Sequence, residues 1–201
     1  MSSGQTTAII LESCDLNSAT DKIFSETWNG SSYSPWSVST VIVQESISPN
    51  FLNKLKRKIK EFSQESDVPL IFKNKKIAVK INKIVENAKN LGISVETSII
   101  SDEIWSPTAL IEHQSQNLEP GLPVLTVLIC RTAKEAANIA NHSQYALATS
   151  IWTEISSQAL EIASTLKSST VWINCHGICD VDVPIQPLYA SGDGVFGGRD
   201  G

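Results

Sequence analysis

The stretch that decides the fold runs from Val124 to Asn174. It opens on Val124-Leu-Thr-Val-Leu-Ile-Cys, a continuous apolar run with the composition of a buried strand. Thr132-Ala-Lys-Glu follows with the spacing of a capping box, which predicts a helix running to about Asn141. Ala148-Thr-Ser-Ile-Trp predicts a second strand, Glu154–Leu166 a second helix, and Thr170-Val-Trp-Ile-Asn a third strand. Strands apolar throughout bury both faces, and a helix between each pair carries the chain back across the sheet. That combination is the signature of βαβ units and a largely parallel sheet.

The N-terminal half extends the same alternation. Thr6–Leu11 is a short apolar run, and Asp15 stands where it can cap a helix carrying Leu16, Ala19, Ile23 and Thr27 on one side. Val38–Gln44 reads as a buried strand. Ser48-Pro49 reads as an N-cap with proline at the first helical position. The helix after it places Phe51, Leu55, Ile59 and Phe62 on one stripe and predicts that Lys54, Arg57, Lys58 and Lys60 face solvent. A further helix over 75–91 carries Ile77, Ile81, Ile84, Val85, Ala88 and Leu91 at helical spacing, with Gly92 as its stop. Ile93-Ser-Val-Glu-Thr-Ser alternates with period two, as a strand does. The fold class is therefore α/β, a largely parallel open sheet with flanking helices. From Ser191 the chain is glycine-rich and is expected to be irregular.

Composition bounds the function. The chain has 201 residues, 41% of them hydrophobic and 18% charged, which excludes wholesale disorder. At roughly 150 residues per domain the length allows one domain or little more. No apolar run approaches the ~18 residues of a membrane span, and Met1-Ser-Ser-Gly-Gln has no basic, apolar leader. The cysteines at 14, 130, 175 and 179 are too unevenly placed for a disulfide scaffold. Reduced thiols, a cytoplasmic location and no membrane partner are the expectations.

The net charge of −5 argues against a nucleic-acid partner, but the average hides an asymmetry. Residues 54–89 hold 11 of the 16 basic side chains and 4 acidic ones, a net of +7, which leaves −12 on the remainder. Solvated helix faces explain this most simply, and a basic surface for an acidic partner is the sharper alternative.

Three candidate sites stand out by residue type. Cys175-His176-x-x-Cys179 offers three soft metal ligands, with His113 or His142 as the possible fourth. No second paired cluster exists, so a thiol and an imidazole at a strand end are the expected reading and no metal is expected. Gly192-x-Gly194 and Gly197-Gly198 neither follow a strand nor open a helix, as a phosphate-binding turn requires. Trp152 and Trp172 lie in predicted strands, where core packing is the default.

Several strings are less generic. Gly121-Leu-Pro-Val-Leu-Thr-Val, Glu135-Ala-Ala-Asn-Ile-Ala-Asn, Tyr145-Ala-Leu-Ala-Thr-Ser-Ile-Trp, Thr170-Val-Trp-Ile-Asn and Ser191-Gly-Asp-Gly resemble the aldehyde dehydrogenase superfamily in order and spacing. Ala8-Ile-Ile-Leu-Glu-Ser-Cys-Asp-Leu and Val43-Gln-Glu-Ser resemble the same family on either side of its nucleophile loop. Arg131-Thr-Ala-Lys-Glu-Ala, Trp172-Ile-Asn-x-His-Gly and Gly198-Arg-Asp-Gly look most like the family 16 branch, known for members without the catalytic cysteine.

The resemblance implies a catalytic α/β domain over residues 1–190 and a glycine-rich tail over 191–201, with the Rossmann cofactor domain absent. It places the family's general-base glutamate at Met1, and the cofactor turn and oxyanion asparagine upstream of it. Counting back from Val43, the nucleophile slot falls on Pro35, or on Ser34 with a one-residue insertion. Neither is a thiol, no histidine is near Ser34 in sequence, and Cys14 matches no family nucleophile. Glu119 matches the glutamate that holds the nicotinamide ribose, although Gly121 stands where the family has an aromatic.

The resemblance thus implies an NAD(P)-dependent oxidoreductase family acting on aldehydes. This chain is expected to be a non-catalytic member, without cofactor, serving as a scaffold or interaction module. The alternative is a truncated piece of a longer active aldehyde dehydrogenase. A homo-oligomer or a partner protein is expected, because the family covers the apolar strand at Thr170–Asn174 with an arm.

Overall fold

The computed structural model describes residues 6–28, 34–62, 74–97, 105–111, 122–195 and 197–199. The deciding stretch forms β5 (Val124–Cys130), α4 (Ala133–Ala140), β6 (Tyr145–Ala146), β7 (Ala148–Trp152), α5 (Ser156–Thr165) and β8 (Thr170–Ile173). Before it lie β1 (Thr6–Ile10), α1 (Leu16–Trp28), β2 (Val38–Gln44), α2 (Ser48–Phe62), α3 (Lys75–Asn90), β3 (Ser94–Thr97) and β4 (Thr108–Ile111). β9 (Leu188–Tyr189) pairs antiparallel with β6.

Seven strands form one sheet in the order β3-β4-β5-β2-β1-β7-β8. Every ladder in it is parallel except β3 with β4. The sheet is therefore largely parallel, as the apolar strands require. β1 lies inside it, with Ile9 opposite Ile42 on one side and Ile151 on the other. Its side chains alternate between two cores. Ala8 and Ile10 pack with α1, α2 and α3, while Ile9 and Leu11 pack with α4 and α5.

The helices are held by identifiable local devices. Asp15 caps α1 by accepting the backbone N–H groups of Asn17 and Ser18, and the Ser18 hydroxyl also donates to it at 2.6 Å. These bonds hold the Asp15 carboxyl below the usual carboxylate range. At the other end of α1, Trp28 is fully buried and its indole N–H donates to the Pro123 carbonyl at 3.0 Å. That bond ties the end of α1 to the start of β5. The α3 helix ends as its glycine predicts. Gly92 takes φ +74° while its N–H and that of Ile93 donate to Lys89 and Ala88, a Schellman stop.

Several expectations need correction. Ser48 is not an N-cap: a 3-10 turn, Glu45–Ile47, runs straight into α2, and the Ser48 hydroxyl donates back to Glu45. Phe51, Leu55, Ile59 and Phe62 are buried as expected, but Lys54 and Lys58 do not simply face solvent. Lys54 donates to Asn17, and Lys58 sits 2.8 Å from Asp21 and 5.6 Å from the centre of the Phe24 ring. Both reach across to α1, packed alongside. On α3 the buried line is Ala78, Ile81, Val85 and Ala88. Ile77 and Ile84 flank that line, and Leu91 is 73% exposed because the chain has left the helix there. α5 begins at Ser156, two residues late, because the Thr153 hydroxyl accepts the Ile155 N–H and holds the entry turn.

The first residue of the glycine-rich stretch is part of the fold. Ser191 is fully buried, and its hydroxyl accepts the Ala146 N–H at 3.0 Å. No helix among the described residues is long and apolar enough to cross a membrane.

Candidate functional site

Ser34 and Pro35, where the resemblance puts the nucleophile slot, lie in the turn that leads into β2. The Ser37 N–H donates to the Ser34 carbonyl at 3.0 Å, closing a four-residue turn with Pro35 at its second position, where a fixed φ suits the geometry. The Ser34 hydroxyl accepts the Trp36 N–H at 3.3 Å. The turn is fastened on two sides. The Ser37 hydroxyl donates to the Glu26 carbonyl of α1 at 3.0 Å. His176, just past β8, donates from Nε2 to the Trp36 carbonyl at 2.7 Å.

His176 is fully buried, and its ring lies 4.7 Å from that of Trp172. Burial pushes its pKa below the ordinary value and outweighs the opposing pull of the Trp36 carbonyl. The imidazole is therefore neutral, with its proton on the nitrogen facing Trp36. His176 Nδ1 and Trp36 Nε1 are both buried without a hydrogen-bond partner among the described residues. Beneath them Lys22 and Glu26 form an ion pair at 2.7 Å on α1. Gly177 takes φ +71°, and a Cβ there would come within 3.3 Å of the Glu26 carboxylate. Glycine thus lets the chain turn close over that pair.

This arrangement orients backbone but does not activate a hydroxyl. The Ser34 hydroxyl is met by the Trp36 N–H, and no general base is hydrogen-bonded to it among the described residues. A serine without a base is a weak nucleophile near neutral pH. Three of the four described thiols are poor substitutes. Burial pushes Cys14 and Cys130 up to about 11, far from the thiolate form. Exposed Cys179 is also raised, by its partial burial first and by nearby Glu26 second.

The Cys175-His176-x-x-Cys179 motif does not assemble as a ligand set. No group of three or more potential metal ligands occurs among the described residues. Gly197 and Gly198 take positive φ and press on the 181–184 backbone rather than opening a helix. Trp152 and Trp172 are buried in the core, as strand tryptophans should be. Met1, His113, Glu119 and Gly121 lie outside the described residues.

Sequence reasoning missed one element of this site. Ser34 has no histidine near it in the chain, yet His176 reaches its turn from 140 residues away. The only sequence signal was the histidine's place directly after a strand end, where parallel strands gather their loops on one side of the sheet.

Comparisons with known proteins agree with this frame. The sequence model of the aldehyde dehydrogenase family matches residues 2–201. Lactaldehyde dehydrogenase of Methanococcus aeolicus is 28% identical over 206 aligned positions, covering 96% of this chain and 44% of that protein. A putative aldehyde dehydrogenase of Bacillus subtilis is 43% identical over 72 residues, 36% of this chain and 14% of that protein. Betaine aldehyde dehydrogenase of Staphylococcus aureus, solved with NAD+, superposes with a TM-score of 0.85 at 23% identity. That superposition covers 98% of this chain and 44% of the solved one. The chain thus spans less than half the length of the relatives it matches.

Proposed function

The chain belongs to the aldehyde dehydrogenase family, a family of NAD(P)-dependent aldehyde oxidoreductases, and we propose that it is a member whose own nucleophile slot is catalytically silent. Family chemistry needs a thiolate to attack the aldehyde carbon before hydride leaves for the nicotinamide. The observation that carries the proposal is the turn at Ser34-Pro35-Trp36-Ser37. One candidate residue has no nucleophile, and the other spends its hydroxyl on the turn's own backbone. Loss of a nucleophile alone costs many orders of magnitude in rate. The likeness to the family 16 branch supports the same reading.

Such a domain acts through its surfaces, as a scaffold for a second copy or for a partner protein. Ile178, Val181, Val183, Leu188 and Tyr189 are all exposed in the segment beyond β8, which supports association at that end. Any Glu119 contact with a nicotinamide ribose is vestigial in this reading, and no cofactor is required.

A second reading has an observation of its own. The chain covers 44% of the lactaldehyde dehydrogenase it matches, which suits a piece of a longer, active aldehyde dehydrogenase. One experiment separates the two. Aldehyde-dependent NAD(P)H formation is measured for the chain, and for the longest protein encoded around it, each as wild type and Ser34→Ala. The silent slot predicts no turnover by the chain and no effect of Ser34→Ala in the longer protein. Turnover that disappears with Ser34→Ala overturns it. Turnover by the longer protein that survives Ser34→Ala supports the second reading with an active site elsewhere.

A further inference from the structure

The lysines of α2 and α3 are treated differently by the fold. On α2 the cations find anions: Lys56 meets Glu96 at 2.8 Å, Arg57 meets Glu61 at 3.3 Å and Lys58 meets Asp21 at 2.8 Å. On α3, Lys75, Lys76, Lys83 and Lys89 make no ion pair among the described residues.

Two of these four also oppose their own helix. Lys75 and Lys76 occupy the first turn, which contains no acidic residue, where the helix dipole disfavours positive charge. Lys76 and exposed Lys80 are four residues apart, and Lys83 follows three later, so like charges stack on one face. Asn87 and Asn90 continue that line with amide donors. A sequence selected only for folding would place acids in the first turn and interleave charge along the face. Local choices that work against the fold mark functional positions.

We infer that the exposed face of α3 is a docking surface for an acidic polypeptide segment, a role separate from anything at the nucleophile slot. Charge complementarity selects an anionic partner, and the composition of the face selects among anions. No large hydrophobic residue is exposed on α2 or α3, so neither helix offers an aromatic platform for nucleic-acid bases. Arg57, the one arginine on these two helices, pairs with Glu61 through Nε, and the lysine ammonium groups of α3 lack the planar fork of bidentate phosphate contacts. Leu91, the exposed large apolar residue at this end, is a single residue past the helix, so the face lacks the apolar stripe of a membrane-surface helix. An extended acidic segment fits the spacing. Its side chains on one face recur about every 6.6–6.8 Å, and one turn of helix from Lys76 to Lys80 advances about 6 Å.

The test uses a labelled twelve-residue glutamate-rich peptide, followed by fluorescence anisotropy at low and at physiological salt. The wild-type chain is expected to bind saturably, and less tightly as salt rises. Lys75→Gln/Lys76→Gln/Lys83→Gln is expected to weaken binding at least tenfold while leaving Tm unchanged or raised, because those lysines strain the helix. The paired control, Lys56→Gln/Arg57→Gln, is expected to change affinity less than threefold. No binding by the wild type, or equal losses in the two variants, overturns the inference. So does displacement of the peptide by duplex DNA or by phosphatidylserine vesicles at lower concentration than by unlabelled peptide.

Discussion

The two rims of the sheet are finished in opposite ways. At one rim β3 is four residues long and antiparallel, and its Glu96 is held by Lys56 from α2. A short edge flanked by charge discourages another strand from pairing. At the other rim β8 is also four residues long, but it runs parallel and ends on half-exposed Ile173. The chain beyond it exposes Val181 at 81% and Tyr189 at 68%. The difference teaches where each rim draws its stability. The β3 side rests on a broad core under α1, α2 and α3, while β8 packs Val171 against the smaller α4/α5 core and Trp172 into a cluster with Leu147, Ala148 and Ile185.

The largest effect expected from this contrast is on stability. Phe51→Ala removes a fully buried ring from the broad core and should cost about 3–5 kcal/mol in urea unfolding. Ile185→Ala, in a cluster near the rim that water can reach, should cost about 2 kcal/mol. Equal losses at the two sites would remove the distinction between the cores.

The next effect is on association. Sedimentation velocity across the micromolar range should show concentration-dependent association, reversed by Val181→Asp/Tyr189→Asp with little change in stability. A sharp monomer at every concentration, without binding of a dye specific for exposed apolar surface, would falsify an adhesive β8 rim.

The smallest effect is a slope with pH. His176 has a lowered proton affinity when folded, while the unfolded chain has the ordinary value of 6.5. Below about 6.5 the unfolded state takes up the proton first, so stability is full above that value and falls as pH drops toward the folded pKa. His176→Gln keeps a donor for the Trp36 carbonyl and removes the titration. The slope of stability between pH 7 and 5 should flatten in that variant, and an unchanged slope would assign it to other groups.

What was legible in the sequence follows from the range of the forces involved. Periodicity reports burial within one element, so the apolar line Phe51, Leu55, Ile59 and Phe62 and the strand Val124–Cys130 were readable. Local caps were readable for the same reason: Thr132 accepts the Glu135 N–H at 3.1 Å, although the Glu135 carboxylate reaches the Arg131 N–H, one residue before the expected one. β4 was missed because Thr108-Ala-Leu-Ile is only four residues, too short for a periodic signal. The environment of Lys58 was missed because a helical wheel shows which side faces the core but not which helix lies alongside. Ser34 and Pro35 are assigned to the slot by counting back from Val43 in the pattern the resemblance supplies. The pin that sets their turn was not legible, since it joins an imidazole to a backbone carbonyl, and carbonyls leave no trace in composition.

β1 has a consequence for how the chain is made. Its register partner Ile42 on β2 emerges soon after Ile9, but Ile151 on β7 comes more than a hundred residues later. At synthesis rates of about 5–20 residues per second, the interval from Ile42 to Ile151 is roughly 5–22 s. Through it, a strand destined for complete burial has one unpaired edge. Its closing partnership is also among the most distant in sequence, and loop-closure entropy makes such pairings slow. The step that closes the open edge of β1 is therefore the insertion of β7, with β8 added at the rim afterwards, and β1 is at its most adhesive just before it.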